Sequence, residues 1–241
     1  MNPKFILYFA WYYGFFVILR GPSYLVASLS LPLALLFIVT IFAHGSLLAI
    51  SFAIAGGPIA IVAANSINGA ADAAFFRIQI RIQDLYVATN ITSQDYMFAL
   101  SLSYLVFSLP GIVLYGVLGA YLKVFSLGSA LPIIGVLVLL TLTVSNLAFI
   151  IAGLLKHIRN VWGITAILSI IMTVLPPTFY PYTDLPMNLI YVLSISPVTP
   201  AAVLVQGIVG KEPLLYSMLL ILLLETVILT LLGRKFIRWR E

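Results

Sequence analysis

Seven carboxylates, two histidines and no cysteine make up the acid–base and thiol inventory of this 241-residue chain. Without cysteine there is no disulfide, no zinc–thiolate site and no thiol nucleophile. His44 and His157 fall on opposite sides of the membrane in the topology derived below, so they form no pair, and H-E-x-x-H is absent. No G-x-x-x-x-G-K-[ST] occurs, which removes one route to ATP hydrolysis, and no G-x-S-x-G occurs to present a serine nucleophile. The remaining polar groups of interest lie inside apolar runs. Glu225 sits near the middle of the last run, where a carboxylate is costly and by default functional. A protonated or paired Glu that holds helices together fits the same position. Asn65 and Asn68, three residues apart, share one helical face and are accompanied by Gly57, Ala60, Ala63 and Ala64. That pattern fits close helix packing as well as a ligand site. Thr141, Thr143, Ser145 and Asn146 read the same way.

The elements that carry these groups follow from composition. The chain is 63% hydrophobic and 8% charged, against about 25% charged in a soluble domain. Disorder is excluded, because disordered chains are poor in aromatics. A membrane β-barrel fits badly, because its strands are short and alternate in polarity, whereas the apolar runs here are long and unbroken. An all-α integral membrane protein is expected, as a single transmembrane domain over 1–241. About 20 apolar residues cross a hydrocarbon core about 30 Å thick. Six runs qualify: 22–43, 47–71, 97–121, 130–155, 161–180 and 213–233.

Two further stretches do not span. Residues 1–20 are crowded with Phe, Tyr and Trp between Lys4 and Arg20 and are expected as an interfacial helix. A signal peptide is disfavoured there, since no small-x-small cleavage site follows. Residues 176–210 carry Pro176, Pro177, Pro181, Pro186, Pro197 and Pro200, leaving pieces too short to cross. They are expected as short re-entrant outer helices between spans five and six, at a depth where irregular backbone must be covered by protein or line a water-filled cavity.

Charge sets the orientation. With the N-terminus cytoplasmic, Lys4, Arg20, Arg77, Arg81, Lys156, Arg159, Arg234, Lys235, Arg238 and Arg240 lie inside, and only Lys123 and Lys211 lie outside. Six spans with both termini cytoplasmic is the consistent topology. The net charge of +5 is not gathered on a soluble face, so no nucleic-acid partner is expected. The two halves show no convincing inverted repeat of the kind that marks many secondary transporters.

The longest inner loop, 72–96, holds a compact segment from Asp84 to Thr92 without Gly or Pro, and Thr92 with Asp95 fits a capping box opening the third span. An ordinary amphipathic loop and a short surface helix that docks a partner both fit this segment. Tyr86 would be its large aromatic anchor, with Leu85 and Ile91 adding apolar area and Asp84 a charge.

The order of elements, together with FYPYTDLPMNLIYVLSISPVTPAA from Phe179 to Ala202, resembles the membrane subunit of the type-2 class of ATP-binding cassette exporters. Pro181, Leu185-Pro186 and Ser196-Pro197-Val198-Thr199 match that family's outer segment, and Leu85 to Thr92 resembles its inner loop, with Asn90 where the family usually has proline. The resemblance implies a permease subunit, not itself an enzyme, in the plasma membrane. It implies a second permease copy or paralogue, and cytoplasmic cassette ATPases that bind the ATP and magnesium this chain does not bind itself. The exported substrate is not specified. Asp84, Leu85, Tyr86, Val87, Thr89, Asn90, Ile91 and Thr92 would couple to the ATPase, and Pro181, Leu185, Pro186 and Pro197 would form an outer gate. Asn65, Asn68 and Glu225 are candidates for the substrate pathway. An ATP-independent secondary transporter or channel is the alternative, and a membrane-embedded enzyme is a third class, opposed by the lack of clustered His, Asp or Glu.

Overall fold

The computed structural model of the chain describes residues 2–44, 46–237 and 239. The expected cytoplasmic charges Arg238 and Arg240 lie outside the described residues. Everything regular among the described residues is helical. Five helices are long and apolar enough to cross a membrane. They are α3 (Pro22–Phe42), α4 (Leu47–Ile78), α6 (Ser93–Tyr121), α7 (Leu127–Leu154) and α11 (Tyr216–Phe236). The N-terminal stretch forms α1 (Pro3–Ala10), a π-helical turn (Trp11–Phe15) and α2 (Phe16–Arg20). The loop between the second and third predicted spans forms α5 (Ile82–Val87).

The fifth predicted span is corrected in extent. Helix α8 covers Ile158–Val174, 17 residues, rather than 161–180. It stops before Pro176 and Pro177, which have no N–H to continue the ladder. At 1.5 Å per residue it reaches about 26 Å, slightly less than the hydrocarbon thickness. The outer segment then forms a 3-10 turn (Tyr182–Asp184), α9 (Met187–Leu193) and α10 (Val198–Ile208).

Helix α4 is the axis of the bundle. It packs against α3, α6, α7, α8 and α10, and its sequence is small and apolar where those neighbours meet it. A Cβ at Gly57 would overlap the Tyr115 ring of α6, and one at Gly69 would overlap the Tyr104 ring. In an environment as apolar as the side chains themselves, such close approach holds helices together by dispersion. These two contacts also fix α4 and α6 as antiparallel. Tyr115 Oη donates to the Pro32 carbonyl at 2.9 Å, which ties α6 to α3.

Side chains cap the starts of α1, α6 and α7. The Thr92–Asp95 capping box at α6 forms as its sequence suggests, and Ser126 and Ser129 form a second one at α7. The Asp95 carboxylate also accepts from the Asn2 backbone N–H at 2.7 Å, anchoring the start of α1. Arg77 Nη2 donates to the Ala152 and Leu155 carbonyls at 2.7 and 3.1 Å, placing a cation on the C-terminus of α7. From its Asp95 anchor the N-terminal segment runs alongside α6, and Gly14 lets its backbone lie against the Ser103 carbonyl and Val106.

Candidate functional site

The ends of α4, α7 and α11 and the starts of α6 and α8 lie at one end of the bundle, where α5 caps the turn between α4 and α6. Arg81 enters α5 in the left-handed region, at φ 54°, which turns the chain sharply out of α4. Of the eight coupling-loop residues, Asp84, Leu85, Thr89, Asn90 and Thr92 are exposed, and Val87 and Ile91 are half-buried. Leu85 is 66% exposed, a large apolar side chain left mostly open among the described residues. Thr89 Oγ1 donates to the Tyr86 carbonyl at 2.7 Å and closes the end of the helix.

Tyr86 differs from the expectation of an outward anchor. Its ring lies edge-on to Phe5 at 5.2 Å between centroids, and 6.1 and 6.0 Å from Phe9 and Tyr96. Tyr13, Phe76 and Trp239 extend this cluster. The physical reason is the N-terminal segment: its aromatic run supplies a wall on which a half-buried ring gains both area and edge-to-face geometry. Burial, and secondarily the neighbouring Tyr13, push the Tyr86 phenol up to about 12, so the cluster packs a neutral ring. Tyr86 thus braces α5 from beneath and leaves Asp84 and Leu85 outward.

The three pathway candidates do not converge. Asn65 is buried and its Nδ2 donates to Ser108 Oγ of α6 at 2.9 Å, so its amide serves helix packing. Asn68 is exposed, and so is Asp72 one turn further along the same face. Tyr104 Oη donates to the Gly69 carbonyl at 3.2 Å and to Asp72 Oδ2 at 3.3 Å, which holds the Asp72 side chain against α6. Glu225 lies on α11, which packs against α7 and α10. Its Oε2 is buried without a hydrogen-bond partner among the described residues. Beside it, Thr226 and Thr230 bond Thr143 and Asn146 of α7 at 2.6 and 2.8 Å. These pairs account for two of the polar residues noted in the fourth span. Their α11 partners are not visible in the sequence, because the pairing depends on which helix lies opposite. They form one wall of a cleft of about 210 Å³ between α6, α7 and α11, which Gln94 and Arg234 close at the α5 end.

In the outer segment, Pro181 and Leu185 are half-buried, Pro186 is exposed, and Pro197 is buried at the start of α10. Helix α10 is enclosed by α4, α7 and α11, with Val198 to Gln206 buried throughout. Gln206 is the residue that organises this region, and sequence reasoning missed it. Its Nε2 donates to the Pro177 and Tyr180 carbonyls at 2.6 and 2.9 Å, and its Oε1 accepts from the Tyr182 N–H at 3.0 Å. A glutamine in an apolar run opposite a proline-rich stretch is the one signal that pointed to it, since prolines leave carbonyls without helical donors. No group of three or more metal-ligating side chains occurs among the described residues. No protein-family profile, no curated protein and no solved structure matches the chain.

Proposed function

We propose that the chain is the permease subunit of an ATP-driven exporter, working as a dimer with a separate cytoplasmic cassette ATPase. The observation that carries this reading is the build of α5. It is a short surface helix at the exit of the central span, braced by Tyr86 and presenting Asp84 and an uncovered Leu85. Such a rigid knob with one apolar tip suits transmission of a partner's motion into α4 and α6, the two helices it joins.

The exposed strip of Asn68 and Asp72, on a helix whose middle from Ser51 to Ala63 is buried throughout, supports the dimer. Asp72 lies six residues, about 9 Å, from the end of the helix, where a carboxylate bonded only to Tyr104 and otherwise exposed is costly. A second copy or a water-filled pathway would cover it. In this reading α8 is the fifth of six spans, its crossing completed by the non-helical residues 175–181. Both termini face the cytoplasm, the outer segment closes the exit, and ATP and magnesium belong to the partner.

An ion-coupled transporter is the second reading, favoured by the unpartnered Glu225 carboxyl. The test is recruitment. A cassette ATPase from the same cell should co-purify with the full chain in detergent, and Leu85→Asp should abolish this while the chain remains inserted. Unchanged recruitment by Leu85→Asp, or transport by the chain alone driven by an ion gradient, would favour the second reading.

A further inference from the structure

At the end of the bundle opposite α5, two loops bring Lys123 and Lys211 to one pocket of about 450 Å³. They are 88 positions apart, and they are the only lysines or arginines that the charge pattern places on that side. Neither makes an ion pair among the described residues. The acid next to Lys211 in sequence is directed elsewhere: Glu212 Oε1 accepts from Thr183 Oγ1 at 3.0 Å. Two like charges sharing a pocket repel unless an anion lies between them.

The backbone at Lys123 adds an independent observation. Lys123 has φ 55°, the left-handed position that follows the C-terminus of α6, and the Val124 and Phe125 N–H groups close back on the Gly119 carbonyl. Glycine is the favoured residue there, and any side chain is strained. A lysine held in a glycine position is strained, and strain of this kind concentrates at functional sites.

The rest of the pocket is mostly apolar, and its one serine, Ser51, donates its hydroxyl to the Leu48 carbonyl at 2.6 Å. Leu47 and Leu48 at the start of α4 form one wall, and Tyr121, 82% exposed, stands at the rim. Tyrosine at a helix end is typical of the headgroup level. The pocket volume is in the range of small-molecule sites. A cationic pair beside an apolar wall selects an anionic amphiphile over a free ion or a neutral one.

We propose that this pocket holds the phosphate of an anionic lipid of the outer leaflet, with Lys123 and Lys211 as its two counter-charges and Leu47, Leu48 and Tyr121 against its acyl chains. The proposal stands apart from the exporter reading, since it requires no ATPase and no second copy.

Binding of a fluorescent phosphatidylglycerol to the full chain in neutral detergent tests it, with phosphatidylcholine and inorganic phosphate as competitors. Affinity should fall about fivefold for Lys123→Gln or Lys211→Gln and about 25-fold for both, as expected for a headgroup contact of about 1 kcal/mol per lysine. Unlabelled phosphatidylglycerol should compete, and phosphatidylcholine and inorganic phosphate should not. Lys123→Gly separates binding from folding. It relieves the backbone strain, so the protein should melt no lower than wild type, yet it should lose lipid as Lys123→Gln does. Equal binding by the double variant would overturn the proposal. So would equal competition by phosphatidylcholine, or full competition by inorganic phosphate at the same concentration.

Discussion

Replacing Gln206 by leucine should detach the proline-rich outer segment from the bundle. The residue is 2% exposed, and its amide serves three backbone groups at once: the carbonyls of Pro177 and Tyr180 and the N–H of Tyr182. Leucine keeps much of the volume and removes all three partners. A buried backbone group left unsatisfied costs about 1–3 kcal/mol. Tyr180 is only half-buried, so its carbonyl has a route to water, and the lower part of the range applies to it. The sum is about 3–7 kcal/mol. At roughly 2–4 °C per kcal/mol for a chain of this size, the melting temperature in detergent should drop by at least about 6 °C. Thermal melting followed by size-exclusion chromatography reads the global effect. Limited proteolysis between residues 176 and 186 reads the local one, which should appear first. Thr183→Val is the control, because it removes an exposed hydrogen bond from the same segment and should shift melting little. If Gln206→Leu melts within about 2 °C of wild type with no new cleavage, the segment is held by its apolar contacts alone.

The Asn65–Ser108 bond between α4 and α6 should show a coupling energy of about 0.6 kcal/mol, and no more than about 1.7, in a double-mutant cycle of alanine substitutions. A coupling near zero would mean that the close approach at Gly57 and Gly69 alone sets this interface. Cysteine introduced at Thr89 should react with an impermeant reagent only after the cytoplasmic side is opened, whereas cysteine at Thr183 should react in sealed cells. Both positions are exposed and the chain has no other thiol, so labelling of both from one side would refute the topology. Glu225→Leu should insert at least as well as wild type, because a charged side chain at mid-helix costs about 2.5–3.5 kcal/mol on insertion scales. It should also lower transport or dimer stability, and full transport by a normally assembled variant would reduce Glu225 to a tolerated carboxyl.

Local features were legible in the sequence, and partnerships were not. Long apolar runs placed α3, α4, α6, α7 and α11, since length and hydropathy are properties of a segment by itself. The capping box of Thr92 and Asp95 was visible because it closes within four residues. The end of α8 was misplaced by six residues: the run stays apolar past Val174, and the two prolines, not hydropathy, end the helix. Tyr86 has the look of a docking anchor until the N-terminal segment is known to lie beside it, and nothing in residues 80–95 announces that wall. The same holds for Thr226 and Thr230, and for Gln206, whose partners lie more than 20 residues away. Lys123 and Lys211 were read only as two stray charges that fixed an orientation, because their meeting depends on two distant loops closing over one helix end.

The most direct test of the central claim is to learn what sits on Leu85. A photo-crosslinking amino acid placed there in the full chain, in living cells, should capture one abundant cytoplasmic protein through the exposed face of α5. A permease subunit predicts that mass spectrometry identifies the captured protein as a P-loop ATPase, and that crosslinking is lost when the chain also carries Asp84→Lys. Efficient crosslinking to lipid alone, or to proteins none of which binds ATP, would contradict it.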